Sequence, residues 1–446
     1  MVKIVEVNKV APPQGSPTEL SFPLTFFDIS WQKFPPVERL FFYKFSSLDS
    51  KQSFYDSILP KLKHSLSLTL KHFLPLAGNL IWSESTPKPS VKYMEGDAVL
   101  LTIAESDLDF NYLSGNHLRE AATFQSLIPD LAVSEERAAV STLQITLFPN
   151  CGFCIGVSTH HAVLDGRSST SFVKSWAQVC KLASFPEELK PLFDRSLIKY
   201  PTELDEIYTN QQLNGGPCSR SLLPFKMELP PDIVRGTFDL TRSNIQQLRQ
   251  YLVNKNNSFH ISSFSLTCAY AWVCLVKAEE LSEKKAFLII GADCRSRFDP
   301  PIPSAYFGNC IRGVVAAAGT KDLLGKEGFV VALSAISEAI KELENGVLDG
   351  VENSISSIRS LWNQGKLYSI GGSPRFEVYS SDFGWGRPVK VQMVSIDKTG
   401  AFGLADSRDG NSGIQLELAS KKHHMEAFTS LFAEGTKNQF PQEILS

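Results

Sequence analysis

The chain has 446 residues, 43% of them hydrophobic and 20% charged, with 44 lysines and arginines against 47 aspartates and glutamates. This length provides for two domains with sizeable cores, and the composition is that of a soluble globular protein. A net charge of -3 lacks the basic excess of a nucleic-acid or anionic-membrane binder, and no apolar run reaches the length of a membrane span.

Met1-Val2-Lys3-Ile4-Val5-Glu6-Val7 alternates like a strand and is not followed by a signal-peptide core, so the protein is expected in the cytoplasm. Leu62, Leu66, Leu70 and Phe73 predict a helix that closes at Pro75 and Gly78, with Pro60 starting or kinking it. Leu143, Ile145 and Leu147 alternate with polar neighbours, Pro149-Asn150-Cys151-Gly152 reads as a turn, and Phe153, Ile155 and Val157 alternate again: a β-hairpin. Phe172, Val173, Trp176, Val179 and Cys180 then recur at helical spacing.

Between hairpin and helix runs Ser158-Thr159-His160-His161-Ala162-Val163-Leu164-Asp165-Gly166, which sets a histidine four residues before an aspartate on a strand-to-helix loop. An imidazole is the side chain best suited to take a proton near neutral pH. Asp165 has two available jobs: to hold the imidazole directly, or to pair with an arginine and brace the loop. The bland alternative is a pair of loop histidines at a packed hairpin end. Adjacent histidines on extended chain point to opposite faces, and no further His or Cys cluster completes a metal site, so no metal is expected.

From 186 to 232 the chain turns irregular, with Pro186, Pro191, Pro201, Gly215-Gly216-Pro217 and Pro230-Pro231, and reads as a linker or crossover. A second αβ region begins at Gly236-Thr237-Phe238-Asp239-Leu240, with helices predicted over 263–277 and 328–343 and strands over 287–290, 389–396 and 414–418. Asp293-Cys294-Arg295-Ser296-Arg297 offers two guanidinium groups at a strand end, either a partner for Asp165 or a solvated charge cluster. Tyr379-Ser380-Ser381-Asp382-Phe383-Gly384-Trp385-Gly386-Arg387-Pro388 reads as a tight loop after a strand, with Trp385 as its plug. Eight scattered cysteines read as buried free thiols, and Cys151-Gly152-Phe153-Cys154, which spans a hairpin turn, reads as structural.

Three segments occur in one order: His161-Ala162-Val163-Leu164-Asp165-Gly166, Tyr306-Phe307-Gly308-Asn309-Cys310 and Asp382-Phe383-Gly384-Trp385-Gly386. With Leu24-Thr25-Phe26-Phe27-Asp28, Ser65-Leu66-Ser67-Leu68-Thr69-Leu70, Pro75-Leu76-Ala77-Gly78 and Arg235-Gly236-Thr237-Phe238, the chain resembles the plant BAHD acyltransferases over nearly its whole length. The middle segment is similar to the branch that acylates anthocyanins, flavonoids and related phenolic glycosides. The resemblance implies an α/β fold with mixed sheets: two chloramphenicol-acetyltransferase-like domains joined by a long crossover loop, with an active-site channel at their interface. The boundaries are then 1–185 for the domain bearing His161 and Asp165, 186–232 for the crossover, and 233–446 for the domain bearing the Asp382 loop. A piece of the second half is expected to cross over and complete the first sheet.

The resemblance also implies direct transfer with His161 as general base, Asp165 paired with Arg295, and Asp382 counted as catalytic although mainly architectural. Phe383, Gly384, Trp385 and Gly386 would shape the channel, and Ser262 and Ser263 would lie along CoA at a helix N-terminus. No bound cofactor is implied; acyl-CoA is the co-substrate, and the protein is expected to be a monomer whose partners are the acyl-CoA and a phenolic glycoside. A malonyl donor needs a cation, for which Arg167 stands close to the expected thioester, whereas a hydroxycinnamoyl donor needs an aromatic slot. Malonyl leads and hydroxycinnamoyl is the rival. A catalytically silent phenolic-glycoside-binding protein is the alternative from another class.

Overall fold

The computed structural model describes residues 1–47, 49–214, 220–253 and 261–437. Its first sheet has six strands in the order Val2–Val10, Val99–Ser106, Ser141–Phe148, Gly152–Thr159, Val37–Lys44 and Lys390–Met393. The hairpin Ser141–Phe148 with Gly152–Thr159 lies at its centre, and Asn150 takes the left-handed turn at φ 63°. Every residue of both hairpin strands is buried. Period-two alternation usually signals one wet face, yet here the polar face is covered too. Phe110, Leu113, Phe124 and Leu127 pack under it, and Gln144 Nε2 donates to the Ser126 carbonyl at 3.0 Å.

The opposite face carries the helices Leu59–Leu70 and Gly166–Leu182, where Leu62, Leu66 and Leu70 share a core with Phe172, Val173 and Trp176. Trp176 Nε1 donates to the Leu62 carbonyl at 3.2 Å and to Ser65 Oγ at 3.1 Å, which ties one helix to the other. Pro60 stands just past the π-helical turn Phe54–Ile58, which runs straight into Leu59–Leu70, and the helix stops at Leu70; Phe73 precedes a separate short helix, Leu74–Ala77, because Pro75 has no N–H to continue the ladder.

A seven-stranded sheet runs Ile311–Gly319, Lys285–Asp293, Lys366–Gly372, Phe402–Asp406, Ile414–Lys421, Ile233–Leu240 and Arg119–Glu120. The helices Ser263–Ala278 and Gly328–Lys341 pack on it. A smaller four-stranded sheet holds Glu19–Pro23, Ser90–Met94, Asn79–Ile81 and Arg137–Ala139.

The two large sheets trade strands. Lys390–Met393 from the second half pairs antiparallel with Val37–Lys44, and Arg119–Glu120 from the first half pairs with Ile233–Leu240. Linear boundaries therefore cut through both sheets. Three local readings also differ from the sequence. The segment read as irregular contains the helix Glu203–Asn214, whose Leu204, Tyr208 and Gln212 recur every four residues and are buried. Gly215, Gly216, Pro217 and Cys218 lie outside the described residues. The strand over 389–396 is only Lys390–Met393, because the chain turns into the short helix Ile396–Thr399. The Asp382 loop follows two single-turn helices, Pro374–Phe376 and Val378–Ser380, and not a strand.

Candidate active site

His161 sits on the connection from Gly152–Thr159 to Gly166–Leu182. The Val163 N–H donates to the His160 carbonyl at 3.0 Å, closing a turn, while Ala162, Val163 and Leu164 are fully buried and anchor it. Asp165 caps the helix by accepting the Ser168 N–H at 2.9 Å. Its other oxygen lies 2.8 Å from Arg295 Nη1, so the carboxylate faces the arginine. Both side chains are 4% exposed. Arg295 also donates to the carbonyls of Tyr306 at 3.1 Å and Gly308 at 3.0 Å, and its Nη1 lies 3.1 Å from Asp293. Burial alone would lower its pKa, but Asp165 and Asp293 hold it above the ordinary arginine value.

The histidine is held from a second direction. Asn309 Nδ2 donates to the His161 carbonyl at 2.9 Å and to Asp28 Oδ1 at 3.1 Å, and the Asn309 N–H donates to the same oxygen at 2.9 Å. Asp28 is fully buried; its second oxygen accepts from the Thr25 N–H at 3.0 Å and from Thr25 Oγ1 at 2.9 Å. The segment ending in Asp28 thus holds the Tyr306–Cys310 segment, and that segment holds the base. The indole of Trp31 lies against the His161 ring, with centroids 4.1 Å apart and planes 5° from parallel.

Nδ1 of His161 is enclosed while the residue as a whole is part-exposed, so Nε2 is the nitrogen open to the outside. Burial lowers the His161 pKa; its own backbone carbonyl, the charge of Asp165 and the Asn309 amide oppose this and do not overcome it. His160 is buried, accepts the Ala162 N–H on Nδ1 at 3.2 Å, and is pushed down to about 4 by burial and by the neighbouring His161. Among the described residues no group of three or more His, Cys, Asp or Glu is arranged to hold a metal ion. The seven described cysteines are unpaired, six buried and Cys151 partly so.

Asp382 is elsewhere. It accepts from Lys181 Nζ at 2.7 Å and from the N–H groups of Gly384 at 2.8 Å and Gly386 at 3.0 Å. Lys181 ends the helix that Asp165 caps, so Asp382 stands roughly 20 Å along that helix from His161, at a rise of ~1.5 Å per residue. At that distance it cannot share a proton with the base, which goes against counting it as catalytic. The loop's plug is Phe383 and not Trp385. Phe383 is fully buried edge-on to Trp176 at 4.9 Å and Tyr43 at 5.5 Å, whereas Trp385 is partly exposed under Lys61.

Arg167 Nε donates to Asp293 Oδ2 at 2.9 Å, with both side chains 36% exposed. Ser262 caps the helix Ser263–Ala278 by accepting the Ser265 N–H at 3.0 Å. Asn309 and Asp28 lay inside segments singled out in the sequence but had no role assigned there. Trp31 carried one weak signal: it follows Asp28 by three residues, and its N–H donates to the Asp28 carbonyl at 3.1 Å.

Two large mixed sheets that exchange strands, with a partly accessible, pinned histidine on the first, make up a mixed α/β fold of the chloramphenicol-acetyltransferase kind. The chain belongs to the Transferase family, the BAHD acyltransferases, which it matches over residues 1–434. It is 41% identical over 446 residues to phenolic glucoside malonyltransferase 2 of Arabidopsis thaliana, covering 97% of this chain and 98% of that one. It is 39% identical over 453 residues to the same plant's malonyl-CoA:anthocyanidin 5-O-glucoside-6''-O-malonyltransferase, covering 97% and 98%. Agmatine coumaroyltransferase, also from Arabidopsis thaliana, is 35% identical over 451 residues, covering 97% and 98%. Among solved structures, vinorine synthase superposes with a TM-score of 0.70 at 21% identity, covering 96% of each chain. No helix among the described residues is long and apolar enough to cross a membrane.

Proposed function

We propose that this protein transfers an acyl group, malonyl in the leading reading, from coenzyme A to a sugar hydroxyl of a phenolic or anthocyanin glucoside, with His161 as general base in a ternary complex. The state of His161 carries the reading: burial keeps the ring neutral near pH 7, Nδ1 is enclosed, and Nε2 is open. A neutral imidazole with one accessible nitrogen accepts a hydroxyl proton. Nε2 takes that proton, the alkoxide oxygen attacks the thioester carbon, and the tetrahedral oxyanion collapses as the C–S bond breaks. The proton passes from Nε2 to the departing CoA sulfur, so the base is regenerated and no acyl-enzyme forms.

Asp165 and Arg295 position the loop, and neither touches substrate in this scheme. The segment Asp382 to Gly386 shapes the CoA end, and Ser262 and Ser263 offer a helix N-terminus to a CoA phosphate. The protein works as a cytoplasmic monomer without a bound cofactor. An aromatic acceptor is supported by the surface beside the base. Phe34 is 40% exposed with its ring 6.3 Å from that of His161, and Leu223 and Phe225 are similarly exposed on the segment whose Phe225 N–H bonds the Lys33 carbonyl. Malonyl is supported by the malonyltransferases among the relatives and by the part-exposed guanidinium of Arg167. Hydroxycinnamoyl transfer is the second reading, favoured by the coumaroyltransferase relative.

The test is a mass-resolved assay on a mixture of phenolic glucosides, offering malonyl-CoA and p-coumaroyl-CoA in parallel. The expected result is a malonyl mass gain that His161→Ala abolishes. Arg167→Gln is expected to raise KM for malonyl-CoA about tenfold, the value of one charge-assisted contact of ~1.5 kcal/mol. A gain from coumaroyl-CoA alone overturns the donor; ligand binding without turnover overturns the enzyme reading.

A further inference from the structure

We infer that Trp31 is a positioning residue for the base: its indole face fixes the His161 ring and stabilises the imidazolium that forms as the acceptor proton moves. The inference rests on His161 being the base, as proposed above. The two rings are parallel within 5° at 4.1 Å between centroids. Phe34 borders the pair from the side, its ring 4.9 Å from the indole at 62° and 6.3 Å from the imidazole, which limits sideways movement of the stack.

The chain that carries Trp31 is fixed by the same carboxylate that serves the other clamp. Trp31 follows the single turn Phe26–Ile29 and bonds the Asp28 carbonyl through its N–H, while the Asp28 carboxylate holds Asn309, whose amide holds the His161 carbonyl. One turn of chain thus fixes the base twice, at its backbone and at its ring. Trp31 Nε1 is buried with no hydrogen-bond partner among the described residues.

A positive charge over an indole face is attracted by the ring quadrupole, and the attraction grows where water is excluded. The neutral imidazole gains only packing from the same face. The stack therefore favours the proton-bearing state over the resting one, which is the differential interaction that speeds a proton transfer. The charged and titratable groups that face His161 are His160 on the same loop, Asp165 at the helix start with Arg295 behind it, and Asp28 behind Asn309. A change in the Trp31 side chain leaves each of these in place, because Trp31 meets Asp28 through the backbone.

The experiment places tryptophans with one, two and three ring fluorines at position 31 and follows His161 by NMR with labelled histidine, its signal assigned by its loss in His161→Ala. Fluorination weakens the negative face without changing the shape of the ring. The His161 pKa is expected to fall stepwise with fluorine count, and Trp31→Leu to lower it by about half to one pH unit, with Trp31→Phe between. The acid limb of kcat/KM should move with it, while the plateau of kcat drops about three- to tenfold. A pKa that stays constant across the fluorine series overturns the inference, even if Trp31→Leu is slower, because lost packing alone slows the enzyme without moving the titration. Should Trp31→Leu not fold, the fluorine series decides. Activity that survives His161→Ala defeats the general-base reading instead, and the titration still reports the stack.

Discussion

A histidine with one nitrogen enclosed titrates against its surroundings. Burial lowers the pKa of His161, so the base stays neutral to a pH below the ordinary histidine value of 6.5. The sign follows: the working form is lost only on protonation, so kcat/KM is expected to be level at neutral pH and to fall with unit slope below a midpoint under 6.5. Stability moves in the same direction. His160 and His161 are both depressed in the folded state, so the unfolded chain takes up protons first and the native state is weakened as pH falls from 6.5 towards 4. Initial rates taken in seconds, beside melting curves at the same pH values, separate the two effects; a midpoint above 6.5 would contradict the buried environment. His161 and Asp165 were legible because loop, spacing and proton chemistry coincide in one short run, and the resemblance supplied Arg295. The contacts of Asn309 and Asp28 were not legible, since 148 residues separate Asn309 from His161 and 281 separate it from Asp28. A local pattern carries no register between segments that meet only after the sheets assemble.

At the scale of elements, the helix Gly166–Leu182 is the beam that joins the two ends of the site. Asp165 caps one end; at the other Lys181 meets Asp382, which gathers the N–H groups of Gly384 and Gly386 on one carboxylate oxygen. Those glycines adopt φ of +108° and +93°, where a Cβ is strained, and that is why the loop needs them. Asp382→Ala removes an ion pair and two charge-assisted bonds on a part-exposed carboxylate, so the expected loss is about 1–3 kcal/mol of unfolding free energy in urea. kcat should stay within about tenfold, against the collapse in His161→Ala. A kcat collapse at unchanged stability would restore Asp382 as catalytic. The hairpin and the helices through Trp176 and Trp272 were legible because their apolar spacing runs over several turns. The helix Glu203–Asn214 was hidden, because two of its four buried positions, Thr209 and Gln212, are polar and prolines flank it, and the strand Lys390–Met393 is too brief to show its partner.

In the whole molecule, neither half owns its sheet. The strand Lys390–Met393 closes the edge that Val37–Lys44 would otherwise expose, and Arg119–Glu120 does the same for Ile233–Leu240. The exchange is riveted inside. Arg235 pairs with the buried Asp397 and with Glu417 at 2.9 Å, and donates to the Met393 carbonyl at 2.9 Å, while the Met393 N–H donates to Glu417 at 2.9 Å. Fragment 1–214 alone would present a long apolar edge strand containing Leu40, Phe41 and Phe42, and fragment 220–446 would hold Arg235, Asp397 and Glu417 without the strand register that packs them. Expressed separately, each is therefore expected to be aggregated or without dispersed NMR signals. Expressed together, they should assemble, because a cut at 215–219 falls in the crossover and leaves both strand exchanges possible. The intact chain should then unfold in one calorimetric transition, with calorimetric and van't Hoff enthalpies equal, despite its separate cores. A soluble, cooperatively unfolding 1–214 would contradict this, since it would mean that the first sheet holds without its borrowed strand. The base depends on the same interlock: His161 stands on the first half, Asn309 and Arg295 reach it from the second, and a fragment lacking either leaves the loop unbraced.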